Sequence, residues 1–583
     1  MTRLQNLTNR ACPGMSPTVK LAEYLFTRLV QLGITSVHGV PGDFNLTLLD
    51  YVEPAGLHWV GNANELNAGY AADGYARING ISALITTFGV GELSAINAIA
   101  GAYSERAAVV HIVGTPPRAT QDGRLLVHHT LNDGNFSRFA QMQAHVTIAQ
   151  TSLRDPRTCP EQIDQVLAQC LLHSRPVYIE VPVDLVDAPV LSDRLSAKLQ
   201  LPEGIWGTSQ NSAIEAVVEK LQEAKQPIIL VDGETRALGI VDAVQDLSRR
   251  TGWPTWTTGF AKGLLDETES NFHGIFRGKW DEENTQTFFY DADVVLCFGP
   301  HFSSTNSFGF TSLPRPENTI SVSDSDIKIG TKIWRDVPAR QAVASLRRKL
   351  NLDMIQRYVE YPKLRRDQAF SVQDTPKEKI ITQDKIWRVL STFLREGDIL
   401  LGETGTPGYG TREMPLPPRT RLFIPTTWLS IGYMLPAAQG AALAQRDLAA
   451  SAQQPGRTIL LVGDGSFQMT AQEIGTMIKH NLNIIIFLIN NDGYTIERCI
   501  HGMRQAYNDV SRWRYLEAPS FFGAQRDTYT ASATTWGELE KVLGDKRLSD
   551  GQGLRMVEIV MDKEDAPAGP LKDLIKAQKA KRL

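Results

Sequence analysis

The sequence predicts an α/β protein of three doubly wound parallel-sheet domains, and three observations carry that prediction. Short strand-like segments recur along the whole chain, at 36–40, 83–87 and 109–113, at 399–401, 458–462 and 483–489, and as apolar runs at 227–231 and 294–298. Runs that are apolar throughout, rather than alternating, belong to strands buried on both faces, as in a parallel sheet covered by helices. Between them lie stretches with apolar residues at helical spacing, so strand and helix alternate in the βαβ manner. Finally, 583 residues exceed what one hydrophobic core holds, so about two to four domains are expected.

Taken in order, residues 1–16 show no periodic pattern and are read as a tail. The first domain is set at 17–200. It opens on a helix at 20–32, where Leu21, Leu25, Leu29 and Leu32 keep helical spacing, and continues through helices at 65–78 and 93–104. Pro202, Gly204 and Gly207 among polar residues mark a boundary, and a central domain is set at 201–353. The charged, weakly periodic stretch 354–380 reads as a linker. The last domain is set at 381–583 and closes in a helical tail. The first and last blocks share one rhythm, which suggests two similar domains flanking a third.

Composition narrows the function. With 42% hydrophobic and 21% charged residues, the chain looks like an ordinary globular protein. A net charge of -4 without long single-sign blocks argues against a nucleic-acid partner and offers no polybasic membrane patch. No apolar run is long enough to span a bilayer, and residues 1–16 lack the apolar stretch of a secretory signal. The cysteines (Cys12, Cys159, Cys170, Cys297, Cys499) are scattered, odd in number and free of any C-x-x-C pair. That pattern fits a reducing compartment, the cytoplasm, better than a disulfide framework or zinc site. Lys581-Arg582-Leu583 matches a peroxisomal address only in part, because Lys stands where a small residue is usual.

The chemistry-bearing residues fall in the outer blocks. The strand at 458–462 ends in Gly463-Asp464-Gly465-Ser466, with a helix expected from about 471 to 480. The strand at 483–489 ends in Asn490-Asn491-Asp492-Gly493-Tyr494. Ligands bind open parallel sheets at the carboxyl ends of strands, so Asp464 and Asn491 reach one spot from two loops. One carboxylate, one amide oxygen and a nearby backbone carbonyl make a hard-oxygen site, of the kind Mg²⁺ takes when phosphates complete its shell. Gly465 and Ser466 open a helix whose free N–H groups suit a diphosphate. Each piece alone reads as an ordinary turn; the two together, about two dozen residues apart, do not. In the first block, 64–77 is a helix with small residues on one face and Glu65 near its N-terminus, where an acid is favourable in any case. His128-His129 lies on a polar loop, and Glu497 follows the Gly493 turn. Taken singly, these three have ordinary solvent-facing explanations.

Together the stretches resemble the thiamine-diphosphate-dependent 2-oxo acid decarboxylase family, and within it the yeast-type pyruvate decarboxylases. The matching motifs are P-G-D-F-N at 41–45, N-E-L-N-A-G-Y-A-A-D-G-Y-A-R at 64–77, T-T-F-G-V-G-E-L-S-A at 86–95, H-H-T at 128–130, E-T-G-T at 403–406, S-I-G at 430–432, G-D-G at 463–465 and N-N-D-G-Y-T-I-E-R at 490–498. The resemblance implies pyrimidine-binding, central and diphosphate-binding domains, with thiamine diphosphate and Mg²⁺ as cofactors. It implies non-oxidative decarboxylation of a 2-oxo acid through a thiamine diphosphate enamine, most simply pyruvate to acetaldehyde and CO₂. Asp464, Asn491 and the Gly493 carbonyl would hold Mg²⁺. Gly463, Gly465, Ser466, Thr404, Ser430 and Ile431 would line the cofactor, with Ile431 the apolar wedge that bends it. Glu65 would bond the aminopyrimidine ring and so drive deprotonation of the thiazolium carbon, a task for a carboxyl that shares its proton near neutral pH. Asp43, His128, His129 and Glu497 would form the acid–base set around the reacting carbon. The family also implies a homodimer at least, and a tetramer by analogy, with Glu65 and Asp464 serving one site from different chains.

Three departures bear on substrate and cofactor. Gly408 stands where yeast-type relatives carry Ala, and Thr305 where they carry a bulky aromatic. Both changes would widen the pocket. Larger 2-oxo acids (phenylpyruvate, indolepyruvate, branched-chain acids) therefore stay open as substrates, as does carboligation to acyloins. A catalytically silent structural relative is the alternative from a different class. Leu429 replaces a Gly whose backbone contacts the cofactor, a contact that survives only if Leu adopts the same dihedrals.

Overall fold

The computed structural model describes residues 17–202, 204–449 and 456–580; the expected N-terminal tail, Cys12 and Lys581-Arg582-Leu583 lie outside them. The fold is the predicted one, α/β with three large sheets, each built mainly of parallel strands. In the first, the strands lie side by side as His58–Trp59, Ser36–Gly39, Ser82–Thr87, Val109–Thr115, Val177–Pro182 and Ala149–Ser152, every pair parallel. In the third they run Arg421–Phe423, Ile399–Gly402, Thr458–Gly463, Ile484–Asn490, Leu554–Val560 and Thr530–Ala533, again all parallel. Numbered by chain order within each sheet, both read 2-1-3-4-6-5. The shared rhythm in the sequence is thus a shared topology.

Alternation along a strand explains the two covered faces. In Ser82–Thr87, Ala83 and Ile85 join the helices Leu21–Gln31 and Cys159–His173 in one core cluster. Leu84 points the other way, into a cluster with Ala68, Ala72 and Ala76 of the helix Glu65–Asn79 and Ala95, Ile99 and Ala102 of the helix Val90–Ser104. The small residues let these two helices approach closely: a Cβ on Gly69 would lie 2.6 Å from the Ala98 Cβ.

The central sheet is mixed. Phe272–Ile275, Thr255–Thr257, Pro227–Val231, Val294–Phe298 and Thr319–Val322 are parallel, and Ile327–Ile329 and Lys332–Trp334 add an antiparallel hairpin at the edge. Loop length is the reason. Only residues 323–326 separate the strand at Thr319–Val322 from the next, and a parallel return needs a crossover of a dozen or more residues. The stretch 354–380, expected as a linker, has no helix or strand beyond the short 3₁₀ turn Val372–Asp374, yet it is strapped down. Ile355 and Leu364 are buried. Trp253 Nε1 donates to the Gln356 carbonyl at 2.8 Å, and Arg365 and Asp367 pair with Asp281 and Arg277 at 3.3 and 2.9 Å.

The chain divides into two compact units, one holding the first sheet with the segment from Gln439, the other holding the central and third sheets. Among the described residues no helix is long and apolar enough to cross a membrane.

Candidate active site: two sets of loops

In the first unit Asp43, Glu65 and the His128-His129 pair follow the carboxyl ends of the strands Ser36–Gly39, His58–Trp59 and Val109–Thr115 of one sheet. The loop after Ser36–Gly39 is locked by Asn45, whose side chain accepts from the Gly42 N–H at 2.9 Å and donates to the Val40 carbonyl at 3.1 Å. Phe44 settles onto the sheet because Gly114 has no side chain; a Cβ there would stand 2.3 Å from the Phe44 carbonyl oxygen. The Phe44 ring stacks on His128 with centroids 4.9 Å apart, and His129 meets His128 edge-on at 4.6 Å. His128 Nε2 lies 2.5 Å from Asp43 Oδ2, and one ligand-type atom from each of Asp43, His128 and His129 falls within 4.8 Å of the others. Asp43 and His128 are exposed and His129 is half-buried. His129 stands at φ +67°, a left-handed backbone that costs a side-chain-bearing residue about 1–2 kcal/mol.

Glu65 opens the helix Glu65–Asn79, whose N-cap Asn64 accepts from the Asn67 N–H at 2.8 Å. It is half-buried, and burial raises its carboxyl above the usual range. The close helix pair described above brings Glu65 Oε1 to within 3.1 Å of the Cβ position of Gly91, on the turn after Ser82–Thr87.

In the second unit the strands Thr458–Gly463 and Ile484–Asn490 are also neighbours. The helix after the first begins at once, as Asp464–Thr470, followed by Glu473–Lys479; the expected start near residue 471 is therefore corrected. Glycine permits the early start, since a Cβ on Gly465 would lie 2.4 Å from the Tyr494 ring. Asp464 is 2% exposed. Its Oδ1 accepts from the Gly465 N–H at 2.8 Å and its Oδ2 from the Gly493 N–H at 2.9 Å. Burial pushes its carboxyl up to about 6, against the pull of those two donors. Asn491 donates through Nδ2 to Thr495 Oγ1 at 2.7 Å, which fixes the amide with its nitrogen engaged. Gly493 stands at φ +119°, with no room for a Cβ, which would fall 2.2 Å from the Asn508 carbonyl oxygen.

The neighbouring loop after Ile399–Gly402 carries Thr404, whose Oγ1 is buried and has no hydrogen-bond partner. Ser466 Oγ donates to the Thr404 carbonyl at 3.5 Å. Glu403, fully buried, holds this loop: Oε1 accepts from the Thr404 N–H at 2.7 Å and Oε2 from the Met434 N–H at 2.8 Å. Burial pushes Glu403 up to about 8. Ser430 and Ile431 are half-buried in the turn before Gly432, whose carbonyl accepts from Thr470 Oγ1 at 2.8 Å. Leu429 stands at φ +52°, so it adopts the dihedral a glycine would take. Gly408 is packed rather than open: a Cβ there would meet the Glu403 carbonyl oxygen at 3.0 Å. The missing methyl thus relieves the Glu403–Thr404 loop and does not face an empty pocket. Glu497 is exposed in the first turn of the helix Thr495–His501.

Asp43, His128, His129 and Glu65 thus gather in one unit, and Thr404, Ser430, Ile431, Gly463, Asp464, Gly465, Ser466, Asn491, Gly493 and Glu497 belong to the other. The second group fits a diphosphate carried on a divalent cation. It offers a buried carboxylate, an amide oxygen and a glycine carbonyl as hard ligands. It also offers an orphaned hydroxyl at Thr404 and clear space over Gly463, where a Cβ would meet nothing within 4 Å. Two buried acids, Glu403 and Glu92, were not singled out from the sequence. The available signal for Glu92 was its place three residues after Gly89 at a helix start, the spacing of a capping interaction.

Two sheets of one topology, one with loops suited to a diphosphate and the other with a half-buried glutamate and a histidine pair, are the equipment of a thiamine-diphosphate enzyme. Three thiamine pyrophosphate enzyme family descriptions match the chain: the N-terminal TPP binding domain over residues 19–142, the central domain over 214–350, and the C-terminal TPP binding domain over 405–540. The chain is 54% identical over 563 residues to a pyruvate decarboxylase of Aspergillus parasiticus, covering 94% of this chain and 96% of that protein. It is 41% identical to a pyruvate decarboxylase of Aspergillus fumigatus (96% and 97% covered) and 37% identical to pyruvate decarboxylase isozyme 2 of Saccharomyces cerevisiae (95% and 97% covered). The chain belongs to the pyruvate decarboxylase family of thiamine pyrophosphate enzymes.

Proposed function

We propose that this chain is a carboxy-lyase that converts pyruvate to acetaldehyde and CO₂, using thiamine diphosphate and Mg²⁺. The observation that carries the reading is the Asp43–His128–His129 group, packed on Phe44 in the same unit as Glu65. Thiamine diphosphate, when bound, supplies the carbon nucleophile and the electron sink that release of CO₂ requires. The chain's residues do the rest. Asp464, Asn491 and the Gly493 carbonyl would hold Mg²⁺, the Gly465 and Ser466 backbone would line the diphosphate, and the Thr404 hydroxyl would donate to the cofactor. Ile431 would pack against it. Glu65 holds a proton at the aminopyrimidine ring nitrogen, for which its raised affinity for protons suits it. His128 steers the substrate carboxylate and is held by Asp43. Asp43 and Glu497 manage the proton that goes to the product carbon, and His129 tunes them. Loss of CO₂ neutralises charge, so any water excluded from the site on binding would favour that step.

Two copies of the chain make the working unit, with Glu65 of one copy and Asp464 of the other serving one site, and pairs associate into a tetramer. The cytoplasm is the proposed compartment.

The deciding measurement is aldehyde release from a panel of 2-oxo acids, with thiamine diphosphate and Mg²⁺ present or withheld. The reading expects pyruvate to be turned over best and activity to vanish without the cofactors. Preference for phenylpyruvate, indolepyruvate or a branched acid would keep the chemistry and replace the substrate. CO₂ without matching aldehyde would replace lysis by carboligation, and cofactor binding without any turnover would make the chain a silent relative.

A further inference from the structure

We propose that Glu92 is a positioning residue for this reaction: its carboxyl holds the Gly89–Val90–Gly91 turn as a spacer between His129 and Glu65. The inference rests on the function proposed above, which places those two residues at the reacting cofactor.

This segment joins the strand Ser82–Thr87 to the helix Val90–Ser104, with Gly89 as the N-cap and Val90 and Gly91 in the first helical turn. Gly89 stands at φ +69°, and a Cβ there would be 2.2 Å from the His129 carbonyl oxygen and 3.2 Å from the His129 Cβ. On the other side, a Cβ on Gly91 would come within 3.1 Å of Glu65 Oε1. One turn therefore sets how far His129, itself at the strained φ of +67°, and the Glu65 carboxyl extend toward their work. Two glycines in so short a turn give it little stiffness of their own.

Glu92 supplies the stiffness. Its Oε1 accepts from the Gly89 N–H at 2.8 Å, its backbone carbonyl accepts from Gln143 Nε2 at 3.0 Å, and its Oε2 accepts from the Tyr178 hydroxyl at 2.8 Å. Tyr178 belongs to the strand Val177–Pro182, two places across the sheet, so the turn is tied to the rigid middle of the domain. The carboxyl is fully buried, Tyr178 is 1% exposed and, among the described residues, no cation pairs with Glu92. A helix cap works as well at the surface, where its carboxylate keeps its hydration. Burying it this deeply costs stability and brings no extra capping, so the burial is explained by the clamp.

The proton count supports a neutral clamp. The Tyr178 hydroxyl lies 2.8 Å from Glu92 Oε2 and 3.2 Å from Glu180 Oε1, yet it has a single proton to give. With Glu92 protonated, its hydroxyl donates to the tyrosine oxygen in place of accepting from it, and the tyrosine proton goes to Glu180 Oε1, so all three groups are satisfied. Glutamine has the same outline and a donor in the same place, so it preserves the clamp; leucine has neither.

The test compares Glu92→Leu, Glu92→Gln and Glu65→Gln in the enzyme loaded with thiamine diphosphate and Mg²⁺. It reads kcat, KM for pyruvate, and the exchange rate of the thiazolium C2 proton by NMR. Glu92→Leu should lower both kcat and the exchange rate by about 10- to 100-fold, the scale of a reacting group displaced by about an ångström. KM should stay within about threefold, and Glu92→Gln should restore both rates to within about threefold. A Glu92→Leu protein that unfolds earlier but keeps wild-type kcat and exchange would reduce Glu92 to a helix cap and overturn the inference. Equal impairment of Glu92→Gln and Glu92→Leu would overturn the neutral clamp. Should Glu92→Leu not fold, Tyr178→Phe removes one anchor alone and should slow exchange measurably; unchanged exchange there counts against the proposal. Glu65→Gln separates the two levels. Unslowed exchange in Glu65→Gln defeats the site assignment, whereas slowed exchange there with normal exchange in Glu92→Leu defeats only the role of Glu92.

Discussion

The first and third sheets share the strand order 2-1-3-4-6-5 and an all-parallel pairing, yet their carboxyl-end loops are equipped for different work. In the proposed mechanism the first presents groups that move protons, Asp43, His128, His129 and Glu65, and the third presents groups that hold charge still, Asp464, Asn491, the Gly493 carbonyl and Thr404. Each places a buried carboxyl behind its loops, Glu92 in one and Glu403 in the other, and burial pushes both up to about 8. The contrast shows that topology decides only where loops emerge, and that loop chemistry decides what they do. Glu497, an exposed acid beside the charge-holding loop, is the exception to the division.

The largest effects should come from the loop residues themselves. Glu65→Gln should lower turnover by roughly 10²–10⁴ with cofactor retention unchanged, and Glu497→Gln should lose turnover on the same scale. Asp464→Ala should instead weaken cofactor and Mg²⁺ retention by about 10²-fold or more, and a chelator should inactivate the wild type in the same way. Equilibrium dialysis with single-turnover rates would distinguish the two kinds of loss. Near-wild-type decarboxylation by Glu497→Gln would remove that residue from the mechanism, and loss of cofactor in Glu65→Gln would break the division of labour.

The buried acids come next. In the folded chain Glu403 is pushed up from 4.5 to about 8, so between those values the unfolded chain releases a proton that the folded chain keeps. The stability this carboxyl contributes is full below pH 4.5, fades as pH rises, and is gone above about 8. Relative to wild type, Glu403→Gln should therefore gain stability with rising pH, by at most about 1.4 kcal/mol per pH unit. Urea midpoints at acid, neutral and mildly alkaline pH check it, and a constant gap between the two proteins would deny Glu403 its shifted proton.

A matched pair of glycines sharpens the contrast further. Gly114→Ala and Gly465→Ala each force a methyl against a neighbour, Phe44 in the first sheet and Tyr494 in the third. Each should cost about 1–3 kcal/mol of stability. The first should lower kcat through Asp43, and the second should weaken cofactor binding. The smallest effect is a control: Asp447 accepts from Thr35 and Ser36 at 2.8 and 2.6 Å, at the amino end of the strand Ser36–Gly39. Asp447→Ala should cost about 1 kcal/mol by thermal melting and leave cofactor affinity untouched.

Much of this was legible in the amino-acid order because it is local. Strand runs such as Pro227–Val231 and Val294–Phe298 were read at their observed ends, since a strand buried on both faces must be apolar throughout. The G-D-G and N-N pair was legible because each turn directly ends such a strand. Features that depend on distant partners were not. The early helix at Asp464 depends on Gly465 meeting the Tyr494 ring. The antiparallel hairpin of the central sheet depends on which edge the short loops return to. Asp43 and His128, which lie 85 residues apart, meet only because their loops leave Ser36–Gly39 and Val109–Thr115, the strands on either side of Ser82–Thr87 in one sheet. Glu92 and Glu403 were not singled out, because their burial depends on packing from distant parts of the chain. Sequence by itself determined the periodicity, the turn chemistry and the choice of reactive groups, because these depend on neighbours along the chain. Tertiary structure alone decided strand order, burial and proton affinity, because those depend on what long-range packing sets beside each group.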